Sequence, residues 1–184
     1  TLVSSMRVPN GGVLRRDTLH TALVEAEVAV RLGAPLVGRE HTAESVRAAV
    51  AALAPAIEVV ETRYDAATWT KQGAAAIVAD NVAFGRVVLG AEVPFGDERC
   101  AALDLLALPT RVTVNGEQQR EGSAKAVDGG VLGALAGLAN ARGRLDAGVV
   151  VITGTTTKVY PAVAGDHVVA HFGDVLGDVS VRFA

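Results

Sequence analysis

Between Ala22 and Leu32 the chain reads Ala-Leu-Val-Glu-Ala-Glu-Val-Ala-Val-Arg-Leu. Val24, Ala26, Val28 and Val30 share one parity, and Glu25, Glu27, Ala29 and Arg31 share the other, which is the period-2 pattern of a strand with one apolar face. Two glutamates at i and i+2 on such a strand lie ~7 Å apart at the Cα and point the same way. They converge on one cation when a third oxygen donor reaches them, and Glu58, in the next β-like run, is the candidate. Three carboxylates without His or Cys favour Mg2+ or Mn2+ over Zn2+. The alternative for a bare Glu-x-Glu is a solvated strand face.

Working outward, Thr42 offers an N-cap before Ala43 to Leu53, where Val46, Ala49, Val50 and Leu53 recur at helical spacing. Pro55 is expected to end that helix and start a strand-like run from Ala56 to Tyr64. A polar connection from Asp65 to Gly73 carries Trp69 and Lys71. Ala74 to Ala79 and Arg86 to Leu89 read as short buried segments around Asp80-Asn81. Thr110 to Arg120 is a hairpin, because Asn115-Gly116 supplies the two positive-φ positions of a tight turn. Gly129 to Ala141 reads as a helix ending near Gly143, and the tail from Val149 to Phe183 as β-rich. Helices are interspersed without alternating regularly with strands, so the fold class is α+β with a curled, mixed sheet and a few packed helices. The 184 residues are read as one domain.

The formal net charge of -3 and the absence of a basic run argue against a nucleic-acid partner. Charges and glycines interrupt every apolar stretch before the ~20 residues a membrane helix needs, so no membrane role is expected. The start, Thr1 to Ser5, lacks a signal-peptide pattern. The single Cys100 has no partner in the chain, which points to a reducing, cytoplasmic setting and an ordinary thiol. Aromatic residues are only 4% of the chain, leaving little to stack bases or sugars. His20 and His41 read as surface or loop histidines.

Several segments together resemble the 2-hydroxypentadienoate hydratase and 4-oxalocrotonate decarboxylase group of the fumarylacetoacetate hydrolase superfamily. They are Leu23 to Ala29, Pro55 to Tyr64, Val78-Ala79-Asp80-Asn81, Leu145 to Gly154, Ala164-Gly165-Asp166 and Leu176 to Phe183. The resemblance runs over nearly the whole chain and implies the β-roll of that superfamily's C-terminal domain. It also implies that Glu25, Glu27 and Glu58 hold one divalent cation, Mg2+ or Mn2+, which chelates a small 2-oxo acid and, as a Lewis acid, stabilises its enolate. The implied activity is hydration or decarboxylation of a short 2-hydroxy-dienoate or 2-oxo-alkenoate. C–C hydrolysis, keto–enol isomerisation and a non-catalytic partner subunit stay open as alternatives. A homo-oligomer, or pairing with a related lyase subunit, is expected.

Arg63 is a candidate for ordering Glu58 or binding a carboxylate, Asp80 for substrate binding or capping a turn, and Thr153 and Thr155 for hydrogen bonds to a substrate carboxylate. Lys71 and Lys125 are candidate proton-transfer groups. The chain also departs from the group. Thr1 to Met6 resembles sequence that lies well inside its members, so an N-terminal segment bearing a Lys/Asp pair is expected to be missing. After Asp80-Asn81 the group has Ala-Ser, where this chain has Val82-Ala83. Lys125 and Asp128 stand where a small apolar run is usual.

Overall fold

The computed structural model describes residues 4–65 and 68–184; readings that fall on Thr1 to Val3 or on Ala66 and Ala67 lie outside the described residues. In chain order the strands are β1 (Arg7–Val8), β2 (Val13–Leu14), β3 (Leu23–Leu32), β4 (Leu36–Val37), β5 (Val50–Val60), β6 (Phe84–Leu89) and β7 (Val93–Pro94). They continue as β8 (Pro109–Val114), β9 (Glu117–Ser123), β10 (Arg144–Leu145), β11 (Val150–Ile152), β12 (Tyr160–Pro161), β13 (His167–His171) and β14 (Asp178–Phe183). The α-helices are α1 (Ala43–Val46), α2 (Ala74–Ala79), α3 (Glu98–Ala101), α4 (Gly130–Arg142) and α5 (Gly173–Leu176).

Two mixed sheets carry the fold. The larger runs β1-β6-β5-β3-β11, with β12 extending along β3 and β7 along β5; the smaller runs β2-β14-β13-β8-β9. Strands β1 and β2 enter parallel to β6 and β14, whereas β3 pairs antiparallel with β5. The inner faces meet in one core that unites Val24, Val28, Ile57 and Val59 of the larger sheet with Val112, Val168, Val179 and Val181 of the smaller. The α+β reading with a curled mixed sheet and few helices holds, and small branched side chains form this core because they let the sheets approach closely.

The strand read from Ala22 to Leu32 forms with its expected faces: Val24, Ala26, Val28 and Val30 are at most 2% exposed. The Asn115-Gly116 hairpin also forms, with φ of 52° and 88° at the two turn residues. Gly143, at φ 75°, closes α4, and Arg39 donates to the carbonyls of Asn140 and Ala141 at 2.9 and 2.8 Å, satisfying the helix end.

Two local readings are corrected. The helix expected from Ala43 to Leu53 starts at the Thr42 cap, where Thr42 and Ser45 form a reciprocal capping box, but α1 stops at Val46. A 3-10 turn at Arg47–Ala49 then leads straight into β5. Val46, Val50 and Leu53 fit helical spacing, yet Ala52, Leu53 and Ala54 face Arg31, Val30 and Ala29 across the β3–β5 ladder, and that long-range pairing overrides the local pattern. Pro55 therefore lies inside the strand instead of starting it. Its missing N–H points to the side where β5 changes partner from β6 to β7, so no ladder bond is lost there. Ala74 to Ala79 is helix α2, and none of its residues is buried.

Pro55 has a close neighbour in Gly90, whose N–H donates to the Pro55 carbonyl at 2.8 Å. A Cβ at Gly90 would sit 2.5 Å from Pro55 Cγ and 3.2 Å from the Asp178 carbonyl oxygen. Gly90→Ala is expected to destabilise the fold by ~1–3 kcal/mol, read as a lower urea midpoint with an unchanged m-value.

Candidate metal centre

Strand register builds the candidate site. Glu25 lies directly across from Glu58 in the β3–β5 ladder, and Glu27 is two residues along β3, opposite Ala56. All three side chains emerge on the face turned away from the core, and one carboxylate oxygen from each lies within 4.8 Å of the other two. Glu27 is 2% exposed, while Glu25 and Glu58 are half-buried. Among the described residues no Lys, Arg or His forms an ion pair with any of them.

Three acids crowded out of water resist ionisation. Burial pushes Glu58 up to about 9, with the charges of Glu27 and Glu25 adding to it. Burial likewise raises Glu27 to about 7, opposed by a hydrogen bond from the Gly154 N–H and another from Glu58, and reinforced by Glu25. Glu25 is raised by burial. Among the described residues none pairs a positive charge with them, and the donor set is all oxygen, so the residues present fit a hard divalent cation such as Mg2+ or Mn2+.

Glu27 is aimed from behind. Between β11 and β12, which both pair with β3, the chain bulges: Thr153 N and Thr156 N donate to the carbonyls of Val28 and Ala26 at 3.2 and 2.8 Å. The bulge presents Gly154 N–H to Glu27 Oε2 at 2.7 Å. Gly154 has φ +105°, a conformation that side chains rarely adopt. The sequence reading missed this contact. It had looked to the hydroxyls of Thr153 and Thr155, which instead donate to the carbonyls of Val28 and Thr157 at 2.9 and 3.0 Å. A lone glycine in a Thr-rich run gives no signal that its backbone is the donor.

Arg63 and Asp80 meet each other. The Arg63 guanidinium binds the Asp80 carboxylate at 3.2 Å and donates to the carbonyls of Asp80 at 3.0 Å and Phe84 at 3.1 Å. It thus clamps both ends of a turn in which Asn81, Val82 and Ala83 have φ of 53°, 58° and 57°. Successive left-handed residues cost roughly 1–2 kcal/mol each, most steeply for β-branched Val82. Ala83 is fully buried, and its carbonyl accepts from Glu61 N at 2.7 Å, tying the turn to the end of β5.

The lysines are not brought to the carboxylates by any ion pair. Lys125 is exposed on the 3-10 turn Ala124–Ala126, and the neighbouring Val127 packs against Gly154. Lys71 is exposed on a second 3-10 turn, Trp69–Gln72. His20 is exposed and His41 half-buried. Cys100 is fully buried, and burial raises its thiol pKa, as befits an unreactive thiol. Among the described residues no helix is long and apolar enough to cross a membrane.

Known proteins resemble this chain in sequence and in fold. Residues 1–184 match the family model for the fumarylacetoacetate (FAA) hydrolase C-terminal region. The chain is 34% identical to a 4-oxalocrotonate decarboxylase of Pseudomonas putida, over 99% of this chain and 67% of the relative. It is 33% identical to 2-keto-4-pentenoate hydratase 1 of Dechloromonas aromatica, over 100% of this chain and 68% of that protein. Among solved structures, 4-oxalocrotonate decarboxylase from Pseudomonas putida G7, complexed with magnesium and adipate, superposes with a TM-score of 0.89 at 31% identity, covering all of this chain and 68% of that one. With its whole length matched and a closely superposing fold, the chain belongs to the fumarylacetoacetate hydrolase family.

Proposed function

We propose that this chain is the catalytic-type portion of a divalent-metal-dependent lyase. It hydrates or decarboxylates a short 2-hydroxy-dienoate or 2-oxo-alkenoate, with Mg2+ or Mn2+ held by Glu25, Glu27 and Glu58. The observation that carries this reading is the convergence of three carboxylates, within 4.8 Å of one another, with no ion pair to a cationic side chain among the described residues. The named relatives, a decarboxylase and a hydratase of 2-oxo acids, support the reaction class.

When bound, a divalent ion supplies Lewis-acid stabilisation of negative charge on a substrate oxygen. The chain's own residues do the rest. Glu25 and Glu58 reach the site from facing positions on two strands, so the ladder fixes their separation. Glu27 is held in one rotamer by Gly154 N–H, as an outer-sphere donor holds a ligand. Leu89, Val150 and Ile152 pack against Ala29, Ala54 and Ala56, so the strand pair is apolar next to Glu27. Self-association, pairing with a related lyase subunit, and a cytoplasmic setting belong to the same proposal.

Calorimetric titration with Mn2+, alone and with oxalate as a mimic of a chelating 2-oxo acid, tests the site. Binding that oxalate tightens is expected; no binding by the wild-type chain overturns the reading. Glu27→Gln is expected to weaken Mn2+ by more than the ~10–100-fold that loss of an outer-sphere partner costs.

The raised acids set a pH dependence. Because Glu27 and Glu58 hold protons in the folded chain at pH values where the unfolded chain has released them, these two acids leave the metal-free fold unpenalised below about pH 4.5 and destabilise it progressively as pH rises to about 9. A divalent cation displaces those protons, so its stabilisation grows across the same window. Thermal melts should show a Mg2+-induced rise in Tm that is larger near about pH 8.5 than near about pH 5.5; a pH-independent rise would count against these glutamates as ligands.

A further inference from the structure

The smaller sheet carries a second set of polar side chains, on the face turned away from the core. Val112 of β8, Val168 and Ala170 of β13, and Val179 and Val181 of β14 are buried inside. Strand alternation therefore turns Arg111, Thr113, His171 and Asp178 outward. Register sets His171 directly opposite Asp178 on one side and opposite Arg111 on the other, with Thr113 one pleat along β8 from Arg111. The glutamates stand across the core on the outer face of the larger sheet, so this set is independent of them.

Three of these side chains form a chain of hydrogen bonds. His171 Nδ1 lies 2.9 Å from Asp178 Oδ1, and His171 Nε2 lies 3.0 Å from Thr113 Oγ1. An ionised carboxylate only accepts, so Nδ1 carries the proton of the neutral ring, and the bare Nε2 accepts from the Thr113 hydroxyl. Hydroxyl, imidazole and carboxylate in that order make an activated oxygen nucleophile: a base within reach of the O–H, and a third group that holds the base in one tautomer. The three residues stand on strands inside the sheet, where ladders and not loops fix their positions. Thr113 and His171 are half-buried, packed and still reachable from water. As a tie between strands that already share a ladder, the exposed His171–Asp178 pair adds little stability.

The charge that acyl transfer develops also has a partner. Arg111 is exposed and, among the described residues, makes no ion pair. Glu121, its neighbour across the β8–β9 ladder, accepts from Gln118 Nε2 at 3.1 Å. A guanidinium directly across from the base, one pleat from the hydroxyl, is placed to meet negative charge growing on an acyl oxygen at Thr113.

We propose that Thr113 is an acyl-accepting nucleophile. His171 is its general base, Asp178 the positioning residue that orients His171, and Arg111 the group that stabilises the oxyanion. An open sheet face puts no wall around the acyl group, so the substrate class is set by reactivity: short-chain esters of acidic alcohols. Thr113 Oγ1 attacks the acyl carbon as its proton passes to His171 Nε2. The bond from that carbon to the leaving oxygen breaks, and the leaving group departs with the proton from Nε2. Water, giving a proton to the same nitrogen, then attacks the acyl carbon; Oγ1 leaves and takes that proton back, so the net reaction is ester hydrolysis.

The test is reaction with p-nitrophenyl acetate, followed by release of p-nitrophenolate and by mass spectrometry of acid-quenched, digested samples. An acetyl group at Thr113 is expected in the wild-type chain. Thr113→Val, which keeps the shape of the side chain and the strand, is expected to lose the acetyl and to slow release by about 100-fold or more, the worth of base-assisted attack; Thr113→Ser is expected to restore both. Asp178→Asn is expected to lower the rate constant to a similar degree at an unchanged half-saturating ester concentration, which a merely structural role would not do. A wild-type chain without acetyl at Thr113, acetyl confined to lysines or to His171, or a Thr113→Val variant that folds by circular dichroism and keeps the wild-type rate overturns the proposal and leaves the three residues as a tie between strands.

Discussion

The antiparallel pairing of β3 with β5 is the constraint on which the rest of this structure depends. One register sets Glu25 opposite Glu58, puts Glu27 one pleat further on, and turns Val24, Val28, Ile57 and Val59 into the core. Hydrogen bonding across the ladder therefore fixes the spacing of the acids, and burial of the alternate residues fixes the ladder. At roughly 25 cal/mol per Å² of apolar surface buried, the strand's inner face stabilises the arrangement that its outer face opposes by crowding like charges.

That opposition is local and electrostatic. Glu27 and Glu58 hold their protons well above the usual carboxylate range, with Glu58 sharing its proton in a hydrogen bond with Glu27. Backbone elements are unrelaxed too: Gly154 sits at φ +105° to reach Glu27, and elsewhere Asn81 to Ala83 run left-handed under the Arg63 clamp. A fold under selection for stability alone has no reason to keep three crowded acids and a strained turn. The acids and the bulge that serves Glu27 lie on the face of the sheet opposite the packed core, which divides the sheet into a side that holds the molecule together and a side that carries the candidate site.

What could be read from the sequence follows the same division. The alternation at Ala22 to Leu32 marked the strand and both of its faces, Thr42 marked a helix start, and Asn115-Gly116 marked a hairpin, because each depends on side chains or on local backbone preference. The helix expected through Leu53 failed because Val46, Val50 and Leu53 fit the helical period, while β5 is buried on both of its faces and only pairing with the distant β3 reveals it. Gly154 as the donor to Glu27 was invisible, since a backbone N–H has no letter. The left-handed course of Val82 and Ala83 was equally hidden, because neither residue favours it and the clamp that enforces it comes from Arg63 in another loop. Arg63, Asp80, Thr153 and Thr155 drew notice as polar residues near the site; the structure commits their polar groups to backbone and to each other.

The period of two has one more consequence, for how such a chain can change length. Inserting or deleting one residue within β3 would exchange its faces, sending Glu25 and Glu27 into the valine-lined interior and the valines onto the site. Neither result is tolerable, so β3 and the facing part of β5 can drift by substitution but not by a change in count. Connections such as the one after Val60, which return to the ladder at Phe84 through an exposed helix and a clamped turn, carry no such parity. Length variation in this architecture is therefore expected in the connections between strands, where it leaves the spacing of the three carboxylates undisturbed.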